Sequence, residues 1–252
     1  MQKIALTNTS VGGVCPLTEM FVHDWEADAA TTIGNHEMFN VEFLHRELKP
    51  DSNFADVGGY EGYFSLVAST IIKTGNIYTF EPVRNSYDII KANVALHKIP
   101  NIQVFNAAVS NRTGTVEIIW REGAQCASHI FERPYDNNEQ QRTTVPVFTL
   151  DSLLDTTFQG RTIDVMKVDI EGAEVELFRG GKEFFKRNPG CRVMLELHCV
   201  YIRPRADVSL NDFMDHLWSD FRIFSASMIP MEAGEFNAIR STGGANLVVM
   251  KK

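Results

Sequence analysis

The sequence predicts an α/β domain built on a mostly parallel sheet, and three features predict it. From Asn53 onward, short β-rich apolar runs alternate with segments of helical periodicity, the pattern of successive βαβ units. Two of those runs, residues 165–170 and 193–197, are nearly continuous in apolar residues, as strands covered on both faces require. Between the first strand and the first helix of this series lies a glycine turn at residues 56–62, the carboxyl end of a strand, where open α/β sheets bind ligands.

In chain order, residues 37–48 carry apolar side chains at helical spacing and end just before Lys49-Pro50, a natural stop. Strands follow at 54–57, 77–81 and 103–107, with helices at 62–73 and 86–96 between them. Residues 115–120 and 144–148 read as two further strands around the polar stretch 132–143, which has no apolar face and reads as a solvated loop, with a lid over the substrate as the alternative. The buried strands 165–170 and 193–198 enclose a helix at 173–186, and a helix at 209–218 is capped by the Ser209 hydroxyl. Strands at 222–225 and 246–250 complete the series. Residues 1–36 form an N-terminal extension, of which the first thirty show no clear period, and residues 37–252 form the domain.

At 252 residues the chain can bury one large core, and its 44% hydrophobic and 22% charged residues are ordinary for a soluble globular protein. No stretch approaches the roughly 18 apolar residues that span a bilayer. The first residues are too polar for a secretory signal, so a cytoplasmic protein with no membrane partner is expected. Cys15, Cys126, Cys191 and Cys199 have neither CxxC spacing nor the density of a disulfide framework, and read as indifferent or buried thiols. A net charge of −8 works against a long polyanion as substrate, so no nucleic-acid partner is expected and a small acceptor is favoured.

In the turn, Gly58 and Gly59 permit a sharp bend and close approach of a ligand to the main chain, while Gly62 lets the next helix pack tightly. The dinucleotide pattern GxGxxG is absent: Tyr60 holds the third position and Glu61 adds a negative charge that would repel a pyrophosphate. S-adenosylmethionine, which carries a sulfonium and an ammonium and no phosphate, suits such a loop. Glu81 ends the next strand where a carboxylate can accept hydrogen bonds from ribose hydroxyls.

With DVGGYEGYFS at 56–65, FEP at 80–82, NAAVS at 106–110, TLDSL at 149–153, VDIEGAE at 168–174 and LELH at 195–198, the chain resembles the FkbM family of S-adenosylmethionine-dependent methyltransferases. The resemblance covers roughly residues 37–198. It implies a class I methyltransferase fold, a Rossmann-like, seven-stranded, mostly parallel sheet with helices on both faces and an antiparallel last strand. It also implies that Asp56, Gly58, Gly59 and Gly62 line the methionine end of the cofactor. Glu81 with the adjoining Pro82 would then meet the ribose, and Asn106, Ala107 and Ala108 the adenine edge. The family's loop usually reads closer to DVGANIGYF, so Gly59-Tyr60-Glu61 is a departure, as is QCASH at 125–129 where a serine-rich stretch is common. The activity implied is O-methylation of a small molecule, sugar or glycan.

Methyl transfer from a sulfonium is an in-line displacement, and a hydroxyl acceptor must lose a proton. Asp169, Glu196 and His198 border one cleft at strand ends, and residues 196 and 198 share a face by strand alternation. His198 is the expected general base, since an ordinary imidazole pKa of about 6.5 suits neutral pH, and Glu196 orients it or binds the acceptor. The alternative is a strand-end histidine beside a Glu196–Arg203 pair. Glu171 and Glu174 read as stabilisers of a helix N-terminus. Asp169, Glu196 and His198 are also plausible ligands for a divalent ion if their strands converge; the site is expected to work without a metal. Two other functions compete: a cofactor-binding module that has lost catalysis, encouraged by the altered loop, and an NAD-dependent oxidoreductase, opposed by the missing GxGxxG. N-methylation remains open, because a neutral amine attacks without a strong base.

Overall fold

The computed structural model describes residues 1–5, 17, 19–23, 38–123, 128–130 and 140–252. In chain order the described elements are strands β1 (Gln2–Ala5) and β2 (Glu19–Val22), helix α1 (Met38–Glu47), β3 (Phe54–Val57), α2 (Tyr63–Ile71), β4 (Ile77–Phe80) and α3 (Arg84–Leu96). There follow β5 (Ile102–Phe105), β6 (Ala108–Val109), β7 (Gly114–Arg121), β8 (Gln140–Phe148), α4 (Leu150–Leu153) and β9 (Val165–Val168). The chain ends with α5 (Glu174–Arg179), α6 (Lys182–Arg187), β10 (Arg192–Leu197), α7 (Cys199–Ile202), α8 (Leu210–Asp220), β11 (Phe221–Ser225), α9 (Ala233–Ile239) and β12 (Ala245–Lys251).

Seven strands form the main sheet in the order β11-β12-β10-β9-β3-β4-β5, in which β12 runs antiparallel to both β10 and β11. A seven-stranded, mostly parallel sheet with an antiparallel last strand is the sheet that the resemblance implied. Every residue of β3, β4 and β9 is buried, which is why those runs are apolar apart from Asp56, Thr79 and Lys167. Alternate residues feed opposite faces: Ala55, Val57, Tyr78 and Phe80 enter one core with Phe158 and Phe184, whereas Phe54 and Ile77 enter the other with Leu44 and Leu66. Among the described residues no helix is long and apolar enough to cross a membrane.

The register decides where the chemistry gathers. Val57 pairs with Phe80 on one side and with Val168 on the other, and Leu195 pairs with Val168. Strands β3, β4 and β9 therefore end level while β10 runs two residues further, so Gly58, Glu81, Asp169 and the end of β10 from Glu196 to His198 share one edge of the sheet.

Several elements differ from the sequence expectation. The helix predicted over 173–186 is two helices, broken at Gly180-Gly181, where a Cβ on Gly180 would lie 2.2 Å from the Ser110 carbonyl oxygen. The strand predicted over 103–107 stops at Phe105, and Ala108-Val109 joins a separate three-stranded sheet with β7 and β8. Residues 140–143, predicted as loop, lengthen β8 by pairing with β7 from Ile118 to Arg121. Main-chain pairing needs no apolar face, and the Arg142–Glu117 ion pair at 2.6 Å lies across the two strands. The rest of the expected 132–143 loop, and Cys15, Cys126 and residues 125–127 of QCASH, lie outside the described residues. Cys191 and Cys199 are buried free thiols. Ser209 caps α8 as expected, its hydroxyl accepting from Asp212 N.

The N-terminal residues, for which the sequence offered no period, contain an antiparallel pair, β1 with β2. Met20 and Val22 are fully buried there. The pair is fastened by Asn93 of α3, whose Oδ1 accepts from Phe21 N at 2.6 Å and whose Nδ2 donates to Phe21 O and to Glu61 O, each at 2.9 Å.

Candidate active site

The site has two halves, one on the β3 and β4 ends and one on the β9 and β10 ends. In the first, Asp56 is 1% exposed, and its Oδ2 accepts from Ser65 Oγ at 2.6 Å. Ser65 Oγ in turn lies 2.7 Å from Thr79 Oγ1, so Thr79 supplies the next hydrogen of the chain. Asp56 Oδ1 is buried with no hydrogen-bond partner among the described residues. Burial pushes the Asp56 carboxyl up to about 6, against the pull of Lys167 and the Ser65 bond.

The turn beyond Asp56 is tightly determined. Gly58 N and Gly59 N both donate to Phe80 O, at 3.0 and 3.1 Å. Gly58 and Gly62 take the left-handed conformation, each with φ of 86°. The glycines make room for neighbouring protein atoms. A Cβ on Gly58 would sit 1.8 Å from the Asp169 carbonyl oxygen, one on Gly59 2.5 Å from Thr79, and one on Gly62 3.1 Å from Ile90 of α3. The sharp bend expected at Gly58 and Gly59 is thus also a close approach of two protein segments. Gly62 does serve packing, although its neighbour is α3.

Tyr60, with φ of 49°, donates its N–H to Glu81 Oε2 at 2.8 Å, and its ring stacks on His23 at 5.3 Å. Val83 N donates to Glu81 Oε1 at 2.8 Å, so a 3% exposed carboxylate is held at both oxygens by main-chain donors. Burial pushes Glu81 up to about 8, against those two donors and assisted by Asp56 and Asp169. Glu61 is turned away from a ligand role: its carboxylate accepts from His23 N beside the N-terminal strands. Asn106 spends its amide on the carbonyls of Glu81 and Pro82, at 3.0 and 2.8 Å, and Ala107 and Ala108 are buried behind it.

In the second half, His198 lies at the centre of the acids. Its Nδ1 donates to Glu174 Oε1 at 2.9 Å, and its Nε2 faces Glu196 Oε1 at 3.6 Å, Glu171 Oε1 at 3.8 Å and Asp169 Oδ1 at 4.0 Å. Glu171 reaches this position because it and Gly172 both have positive φ, 53° and 101°, which folds the turn after β9 back on itself. Arg205 braces the turn, donating to Gly172 O at 3.0 Å and to both oxygens of Glu176 at 2.9 and 2.6 Å. Burial opposes charge on His198, but the Glu174 hydrogen bond and the charges of Glu174, Glu171 and Asp169 outweigh it and hold its pKa at about 9. The ordinary imidazole pKa on which His198 was expected to act as base is therefore not the value in this environment.

The structure thus brings Asp169, Glu196 and His198 together, with ligand-type atoms all within 4.8 Å of one another. The alternative Glu196–Arg203 pair is not what Arg203 makes; its guanidinium donates to the carbonyls of Arg240 and Thr242. Two residues of this half were missed from sequence. Lys167 donates to Asp169 Oδ2 at 2.8 Å, a pairing that the i, i+2 spacing along a strand could have suggested. Glu174, read as a helix-end charge, is a fully buried partner of His198, and no sequence signal distinguishes those roles.

The profile of the methyltransferase FkbM domain family matches residues 56–222. Methyltransferase 1 of Beauveria bassiana (strain ARSEF 2860) is 23% identical over 166 residues, covering 56% of this chain and 67% of that protein. Among solved structures, the chain is similar to precorrin-6y C5,15-methyltransferase from Geobacter metallireducens, with a TM-score of 0.48, 10% identity and coverage of 92% and 94% of the two chains. An O-methyltransferase from Bacillus cereus in complex with SAH gives a TM-score of 0.45, 12% identity and coverage of 90% and 88%.

Proposed function

Because this chain belongs to the FkbM methyltransferase family, we propose that it transfers the methyl group of S-adenosylmethionine to a hydroxyl oxygen of a small molecule, sugar or glycan. The observation that carries this reading is the direct contact between the two halves of the site. Asp169 N donates to Val57 O at 3.0 Å, and the Asp169 carbonyl occupies the space that a side chain on Gly58 would need. A cofactor on the 56–62 turn thus adjoins the acids that would handle an acceptor, and in-line displacement depends on that proximity.

The residues present fit the cofactor chemically. Asp56 Oδ1 is an acceptor without a hydrogen bond among the described residues, and Glu81 adds a second carboxylate. Such a set suits ammonium, sulfonium and ribose hydroxyls, and would penalise phosphates. We assign Asp56, Gly58, Gly59 and Gly62 to the methionine end, Glu81 and Pro82 to the ribose, and Asn106, Ala107 and Ala108 to the adenine edge. When bound, the cofactor supplies a methyl carbon activated by positive sulfur.

On the acceptor side, the hydroxyl oxygen forms the new C–O bond while the S–CH3 electron pair stays on sulfur. The displaced proton passes to Glu196 or Asp169. His198, which holds its own proton at neutral pH, orients those carboxylates and the acceptor. A small or carbohydrate acceptor, rather than nucleic acid, accords with the net charge of −8.

Calorimetric titration with S-adenosylhomocysteine tests the cofactor assignment. Micromolar binding, about −8 kcal/mol, that weakens at least tenfold in both Asp56→Ala and Glu81→Ala supports it. No binding by a folded wild type overturns it. Methyl transfer from labelled cofactor to a panel of hydroxyl and amine acceptors then separates O- from N-methylation.

A further inference from the structure

We propose that Asp169, Glu196 and His198 bind one divalent cation, which coordinates the acceptor oxygen during methyl transfer. The role rests on the methyltransferase reading above, while the cation site stands on geometry of its own.

The first observation is the setting of the imidazole. A metal-binding histidine commonly donates its second ring N–H to a carboxylate, which fixes the ring and strengthens the ligating nitrogen. Glu174 supplies that carboxylate at 2.9 Å, from a position with no solvent exposure. Its Oε1 also accepts from Gly172 N at 3.0 Å, while its Oε2 is buried with no hydrogen bond among the described residues. A buried acid half used in this way is costly unless the His198 ring must be held.

The second observation is what the ring is held toward. Nε2 faces oxygens of Glu196, Glu171 and Asp169 at 3.6, 3.8 and 4.0 Å, beyond hydrogen-bond length but arranged on one side of the ring. Asp169 gives its Oδ2 to Lys167 and turns Oδ1 to the cluster. The three ligand atoms come from the ends of two adjacent strands of the main sheet and lie within 4.8 Å of one another. Two carboxylate oxygens and one imidazole nitrogen suit a hard-to-borderline ion such as Mn2+. The incoming ion takes the place of the proton on Nε2, which goes to solvent, and open positions remain for an acceptor hydroxyl, whose acidity rises on coordination and whose proton passes to the Glu196 oxygen that does not hold the ion.

The test is titration of the full-length, EDTA-stripped protein with Mn2+, followed by electron paramagnetic resonance of the free aqueous ion. Wild type is compared with Glu196→Gln, His198→Gln and Asp56→Ala, and thermal melts verify that each variant is folded. Glu196 is partly exposed, so its variant is the one least prone to unfold. Binding of one Mn2+ per chain at micromolar concentration, weakened at least tenfold by both Glu196→Gln and His198→Gln and retained by Asp56→Ala, supports the proposal. No loss of the free signal with wild type at 1 mM, on the order of the weakest useful affinity, or an affinity unchanged in a folded Glu196→Gln, overturns it. S-adenosylhomocysteine titration of the same stripped samples reports separately on the cofactor half, so failure of the cation site and failure of the methyltransferase reading give different results.

Discussion

His198 and Glu174 are joined Nδ1 to Oε1 at 2.9 Å, with the carboxylate wholly inside the protein at the start of α5 and the imidazole at the end of β10. This pair ties the end of β10, beside Glu196, to the helix that follows the turn carrying Asp169 and Glu171, so the acceptor half of the site depends on it.

Removing Glu174 by Ala leaves a largely buried imidazole among acids without its hydrogen-bonded partner. Breaking one side of such a pair costs about 3–5 kcal/mol. Urea unfolding of Glu174→Ala in the presence of EDTA is expected to show a loss of that order. A loss under about 1 kcal/mol, the range of an exposed ion pair, contradicts the pairing.

Glu81 links cofactor binding to pH. Its carboxyl is raised to about 8, and ribose hydroxyls donate to the ionised form, so ligand binding favours loss of the proton. S-adenosylhomocysteine affinity is therefore expected to rise between about pH 6 and about pH 8, by at most about tenfold per unit, with proton release on binding. The ligand-free protein behaves in the opposite sense. A raised folded pKa gives stability that is complete below the ordinary glutamate pKa of 4.5 and is lost as pH rises through about 8. Melting curves across that window should flatten in Glu81→Gln. An unchanged slope would remove Glu81 from the account.

Gly58→Ala is expected to disrupt both halves at once. The added Cβ would meet the Asp169 carbonyl oxygen, and the left-handed backbone costs about 1–2 kcal/mol for any L side chain. The variant should be destabilised by at least that amount and bind S-adenosylhomocysteine poorly. Wild-type stability would mean that the 56–62 turn can move away from Asp169.

Asn93→Ala removes three hydrogen bonds that hold the N-terminal strands and the Glu61 carbonyl. Leaving buried main-chain groups unpaired costs about 1–3 kcal/mol each. Hydrogen exchange should show protection lost at Phe21 and neighbouring amides of β2 while β3 and β9 stay protected. Retained protection at Phe21 would show that apolar packing of Met20 and Val22 is sufficient.

The core strands were legible because burial on both faces forces mostly apolar runs, as at 165–168 and 54–57, where Lys167 and Asp56 are the charged exceptions. Acids at their ends were legible because the sheet's carboxyl edge is where ligands sit. The break at Gly180-Gly181 and the β1–β2 pair were not, since each depends on a distant partner, Ser110 in one case and Asn93 in the other.

Local pattern and residue chemistry alone therefore determined the α/β class, the edge that bears the site, and the candidates Asp56, Glu81, Asp169, Glu196 and His198. Only the tertiary structure decided that Gly58 yields space to Asp169, that Glu61 serves the N-terminal strands, and that buried Glu174 keeps His198 charged at neutral pH. A side chain's identity records what it can do, whereas its ionisation and aim are set by neighbours that the chain brings together from far along its length.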